Sequence, residues 1–105
     1  MRYIIDIDGT ICTQSNPDYE NARPFKNRIS KLNDLYDKGH TLIYLTARGM
    51  GRSGGDAIKA SEMLYDFTKK QLDKWGVKYH KLVLGKPAGD VYIDDKGINA
   101  EIFFK

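Results

Sequence analysis

The chain has 105 residues, 41% of them hydrophobic and 30% charged, which fits one compact domain over 1–105 and leaves little for a second. No apolar run approaches the ~20 residues needed to span a bilayer, and Asp6 and Asp8 break the one N-terminal run resembling a signal segment, so neither a membrane partner nor a leader is expected. A single cysteine, Cys12, excludes an internal disulfide and suits a reducing, cytoplasmic setting, while a net charge of +3 is too small to imply nucleic acid.

The first predicted element is a strand over Arg2–Ile7, closed by Asp8, Gly9 and Thr10. An unpaired carboxylate is costly within a buried strand, so Asp6 and Asp8 require a chemical explanation. The polar stretch Ile11–Arg23 is long for a strand-to-helix loop. A helix is predicted from Pro24, a favoured first-turn residue, to Gly39, with Phe25, Ile29, Leu32 and Tyr36 at helical spacing. A second strand, Thr41–Leu45, leads into the glycine-rich segment Ala47–Gly55, which is expected to be mobile. The next helix covers Asp56–Trp75, with Ala60, Leu64, Phe67, Gln71, Leu72 and Trp75 along one side and Gly76 as its stop. Strands follow at Lys81–Leu84 and Val91–Ile93, and the closing AEIFFK reads as one more short strand. Strands alternating with helices imply right-handed crossovers: an α/β, three-layer, Rossmann-like fold with a mostly parallel sheet covered on both faces.

In such a sheet every strand ends at one edge, where ligands bind. The strand ends read DIDGT, YLTAR, LVLGKP and YIDD, so this edge is predicted to gather Asp6, Asp8, Thr10, Thr46, Lys86, Asp94 and Asp95. Four crowded carboxylates repel one another unless a cation joins them. Hard oxygen ligands without cysteine or histidine suit Mg²⁺. Lys86 adds a positive point charge, and the threonine hydroxyls can donate to phosphate oxygens. The edge reads as a metal and phosphate site.

DIDGT resembles the first motif of the haloacid dehalogenase-like (HAD) superfamily of phosphohydrolases. YLTAR resembles the second, with Thr46 as the phosphate-binding hydroxyl; GKP places Lys86 at the third, and YIDD places Asp94 and Asp95 at the fourth. The motifs stand in family order over the whole chain. The resemblance implies that Asp6 is the nucleophile of an aspartyl-phosphate intermediate and that Asp8 handles the proton of the leaving group and then of water. It implies that Asp6, the Asp8 carbonyl and Asp94 bind Mg²⁺, with Asp95 nearby, and that Thr46 and Lys86 hold the transferring group. An aspartate at position 8 marks phosphatases rather than dehalogenases within the family. Neither gap between motifs has room for a cap domain, so the site suits a large substrate or cover by another subunit of a homo-oligomer. The stretches DYENARPFKNRISKLNDLYDKGHTLIYLTARGM and KQLDKWGVKYHKLVLGKPAGDVYIDDKGIN resemble small capless HAD proteins of bacterial capsule and surface-polysaccharide synthesis, which suggests a phosphorylated sugar or polyol as substrate.

Without a cap, selectivity is assigned to the two loops leaving the edge, with Thr10, Tyr19, Arg48 and Arg52 as substrate-binding candidates. Arg48 reads equally well as a salt-bridge anchor. Cys12 reads as a packing residue, His40 and His80 as structural, and Lys69, Lys70, Lys74, Lys78 and Lys81 as a solvated face. Two rival functions remain: a polynucleotide 3′-phosphatase, supported by the open site and these basic residues, and a non-enzymatic receiver-like signalling module. The order of the acidic motifs argues against the receiver.

Overall fold

The computed structural model describes residues 1–105. Its strands are β1 (Arg2–Ile5), β2 (Thr41–Thr46) and β3 (Lys81–Leu84), and its helices are α1 (Lys26–Asp37), α2 (Ala57–Lys74) and the short α3 (Ala100–Phe103). The strands form a parallel sheet in the order β1-β2-β3, with Ile5 beside Tyr44 and Tyr44 beside Leu82. This is the expected α/β, Rossmann-like, parallel fold without a cap. No helix is long and apolar enough to cross a membrane.

Local chemistry sets the helix boundaries. Asp56 accepts hydrogen bonds from the backbone N–H groups of Ile58 and Lys59, capping the start of α2, and Gly76 follows its end in the left-handed conformation at φ 73°. Gly39 ends the turn after α1 in the same way, at φ 93°. Between these signals, Ile29 and Leu32 of α1 and Leu64 and Leu72 of α2 join Ile5, Ile7, Leu42, Tyr44, Leu82 and Leu84 in one core. Burying each aliphatic side chain contributes about 1.5–3 kcal/mol, enough to fix both helices on the sheet.

Right-handed crossovers in this strand order put α1 and α2 on the same face. The alternation agrees: Leu42, Tyr44 and Thr46 are buried, whereas Ile43, Leu45 and Val83 are half-buried and Ile4 is exposed. Within one chain, cover is therefore complete on one face only.

Two predicted strands are not formed. AEIFFK is helical at Ala100–Phe103, because the Asn99 side chain accepts from the Glu101 N–H and starts a turn. Val91–Ile93 forms no strand and stays outside the sheet. A parallel strand needs a return connection of roughly a dozen residues or more, and only Gly85–Asp90 separates it from β3. The place beside β1 also lies three strand spacings from β3, about 14 Å sideways across the sheet. Apolar content qualified this segment as a strand, but its connection is too short to return it to its own sheet.

Candidate functional site

Pairing of β1 ends at Ile5, two residues before the chain turns. Thr10 and Ile11 both donate their N–H groups to the Ile7 carbonyl, and Gly9 donates to the Cys12 carbonyl, folding DIDGT into a tight loop at the sheet edge. Gly9 sits at φ 84°, and a Cβ there would lie 2.8 Å from the Gln14 amide nitrogen. Glycine is therefore favoured by conformation, whereas the space would need only the flexible end of the Gln14 side chain to shift.

This loop separates the two carboxylates into different environments. Asp6 retains 32% of its side-chain surface, and its Oδ1 accepts from Lys86 Nζ at 3.4 Å. Its Oδ2 accepts from the Thr10 hydroxyl at 3.1 Å. Asp8 retains 13%, and both of its oxygens accept from Arg48, Nε at 2.9 Å and Nη2 at 2.9 Å. Asp6 is thus open to an incoming molecule, while Asp8 is held by a fork that fixes its plane.

Arg48 is an anchor and not a substrate contact. It is 1% exposed, and its Nη1 donates to Gln71 Oε1 at 2.6 Å and to the Thr68 hydroxyl at 3.4 Å. Tyr19, expected to bind substrate, is not open to it either: it is buried beneath the Arg48 guanidinium, 4.7 Å from its ring centre, and Gln71 Nε2 donates to its carbonyl. Arg52 stays exposed but ties its loop to the other one, donating to the Pro17 carbonyl at 2.7 Å. Thr46 is buried in the floor of the site; its hydroxyl accepts the Arg48 N–H at 3.1 Å, and its carbonyl accepts the N–H groups of Gly85 and Lys86. His40 and His80 serve the backbone as expected, His40 beside the N-terminal amine and His80 Nδ1 accepting the Leu42 N–H.

Asp94 and Asp95 do not reach this site. Both are exposed; Asp94 accepts from the N–H groups of Lys96 and Gly97, which holds its carboxyl below the usual range, and Asp95 pairs with Lys96 Nζ. No group of three or more aspartate, glutamate, histidine or cysteine side chains assembles anywhere in the chain. The Asp8 carbonyl, expected to face a metal, accepts instead from Gln14 Nε2 at 3.1 Å. The donors of one chain therefore do not fit Mg²⁺: Asp6 and Asp8 are each paired with a cationic side chain, and the acidic pair is elsewhere.

Cys12 packs beneath Asp8, with its Sγ 3.5 Å from Oδ1, and burial with the neighbouring carboxylate pushes its thiol up to about 12. At pH 8 only ~1 in 10⁴ molecules would carry the thiolate. Native Cys12 should accordingly resist iodoacetamide and react fully once the chain is unfolded, as intact mass would show; rapid native labelling would contradict this placement.

Sequence reasoning missed one part of the edge. An open groove of about 460 Å³ adjoins Gly9 and is lined by Phe25, Lys26, Asn27, Arg28 and Glu101. Arg28 bridges it, donating to the Thr10 carbonyl at 3.1 Å and to Glu101 at 3.0 Å. The signal was present in Pro24, since a helix that starts just beyond it, at Lys26, must open at the same edge as the strand ends.

No family model matches the chain. No curated protein matches it either. The chain is similar to the crystal structure of an MCSG target from Vibrio cholerae, with 29% sequence identity and a TM-score of 0.90, over 98% of this chain and 86% of that one.

Proposed function

We propose that the protein is a phosphomonoester hydrolase that works through Asp6. The observation that carries this reading is the contrast between the carboxylates: Asp6 is open beside Lys86 and Thr10, while Asp8 is locked by Arg48. The half-buried Asp6 carboxylate, which keeps 32% of its side-chain surface, attacks phosphorus, forming an aspartyl phosphate as the alcohol departs. The Lys86 ammonium offsets charge on the phosphoryl oxygens, and the Thr10 hydroxyl orients the attacking carboxylate. Asp8 stands two residues on to handle the proton of the leaving alcohol and then of water, and Arg48 positions it. Phosphoryl transfer demands mainly such placement and charge stabilisation.

The substrate class in this reading is a small phosphorylated metabolite, a sugar or polyol phosphate in surface-polysaccharide synthesis, consistent with the cytoplasmic setting suggested by the lone thiol. The groove beside Gly9 supports it, since Lys26, Asn27 and Arg28 offer hydrogen-bond donors to hydroxyl groups. Mg²⁺ dependence belongs to the proposal, although one chain does not supply the donors for it.

The test is a screen of sugar, polyol and nucleotide phosphates with and without Mg²⁺. Phosphate release from a sugar or polyol phosphate that stops with chelator and returns with Mg²⁺ is expected. Full turnover in excess chelator would reject the metal dependence, and preference for polynucleotide 3′-phosphates would reject the substrate class.

A further inference from the structure

Every residue from Pro87 to Asn99 is exposed, although the segment contains consecutive large apolar residues. Val91 is 73% exposed, Tyr92 54% and Ile93 92%. Elsewhere in the same chain, β1 is an edge strand paired only with β2, and its Ile4 is 56% exposed. An unprotected edge beside an unpaired apolar segment is a template for strand addition. The two cannot combine as parallel neighbours within one chain, because the Gly85–Asp90 connection is too short for the crossover. A second copy removes that restriction.

We propose that two copies exchange this segment, each laying Val91–Asp95 parallel to β1 of the other. Parallel addition is the direction that delivers Asp94 and Asp95 to the edge holding Asp6 and Asp8. Antiparallel addition would carry them to the opposite edge. The exchange covers the apolar side chains of the segment and the open edge together, and it supplies the carboxylates that a single chain lacks. The active site is then composite: Asp6, Asp8, Thr46 and Lys86 from one copy, and the acidic pair from its partner. A reciprocal two-fold arrangement gives two equal sites and leaves neither β1 edge free. The role given to the acidic pair rests on the phosphatase reading; the exchange itself does not.

The test begins with mass by light scattering and with two single-cysteine additions, Ile4→Cys and Tyr92→Cys, in the presence of the buried, unreactive Cys12. With Asp94 beside Asp6, Tyr92 of one copy stands beside Ile4 of the other, within the Cα separation of about 4.4–6.8 Å that a disulfide requires. A dimeric mass is expected, with a covalent dimer that forms under mild oxidation in the refolded mixture and far less in either variant alone. A monomeric mass, or a dimer whose mixture forms no such disulfide, would overturn the exchange. Activity gives a second reading. Asp6→Asn refolded with Asp94→Asn/Asp95→Asn should recover about one quarter of wild-type turnover, because half of the randomly paired dimers carry one complete site. No recovery, with wild type active, would also overturn the exchange. An inactive wild type that still forms the cross-linked dimer would instead sink the phosphatase reading and leave the exchange standing.

Discussion

Replacing Arg48 should destabilise the protein by about 3–5 kcal/mol, the cost of leaving a buried ion-pair partner unmatched. Its guanidinium satisfies both oxygens of Asp8, the Gln71 side-chain carbonyl and the Thr68 hydroxyl; Gln71 and Thr68 are buried and Asp8 keeps only 13% of its side-chain surface. Arg48→Ala would strand all of them. Against a total stability of about 5–15 kcal/mol for an ordinary domain, that loss is a large fraction. Arg48→Lys should restore only part of it, because an ammonium cannot form the two-pronged contact with Asp8 and also reach Gln71. Urea unfolding of both variants measures this directly. A surface substrate contact would behave differently: stability would stay within about 0.5 kcal/mol and only KM would rise. That outcome would reverse the assignment of Arg48 as an anchor.

The same network decides which carboxylate gives a clean mechanistic test. Asp8→Asn removes half of a buried ion pair, so any lost activity would be mixed with lost stability. Asp6 is free of that problem. Its contact with Lys86 is 3.4 Å long and solvent-accessible, so Asp6→Asn should change stability by no more than about 1 kcal/mol. Turnover should nevertheless fall by about 10³-fold or more, since the amide cannot replace the nucleophile. Comparing kcat with the unfolding midpoint separates the two effects. Activity within a few-fold of wild type would remove Asp6 from the nucleophile role.

Much of this architecture is legible in the sequence because its signals are local. Pro24, Gly39, Asp56 and Gly76 punctuate the helices, and the apolar runs at Arg2, Thr41 and Lys81 begin the strands that the structure contains. DIDGT places Asp6, Asp8 and Thr10 together because they share one turn, and Lys86 follows because β3 is parallel to β1. What was not legible depends on distance through space. Val91–Ile93 has the composition of a strand, and only the length of its connection shows that its own chain cannot take it back. Asn99 outweighs the β-branched and aromatic character of the closing residues by capping a helical turn.

For a related reason the sequence leaves Arg48 open between substrate contact and anchor, and sets Tyr19 among the substrate contacts. Both occupy loops that leave the same sheet edge, and a polar loop residue is ordinarily solvated. Their burial is set by Gln71, which projects from α2 to meet the Arg48 side chain and the Tyr19 carbonyl. A glutamine within the apolar side of a predicted helix was the clue, since a buried amide requires polar partners. The groove beside Gly9, by contrast, arises from the meeting of α1 and α3, which no single segment reveals.

In a phosphatase working as proposed, Asp6 becomes covalently phosphorylated during turnover. Quenching the protein in the presence of a substrate it hydrolyses, then reducing it with borohydride, converts an aspartyl phosphate into homoserine and leaves a free carboxylate unchanged. Peptide mass mapping should find homoserine at position 6, with Asp8 intact and no conversion in the absence of substrate. Sustained turnover with unmodified aspartate at position 6 in every quenched sample would contradict the account.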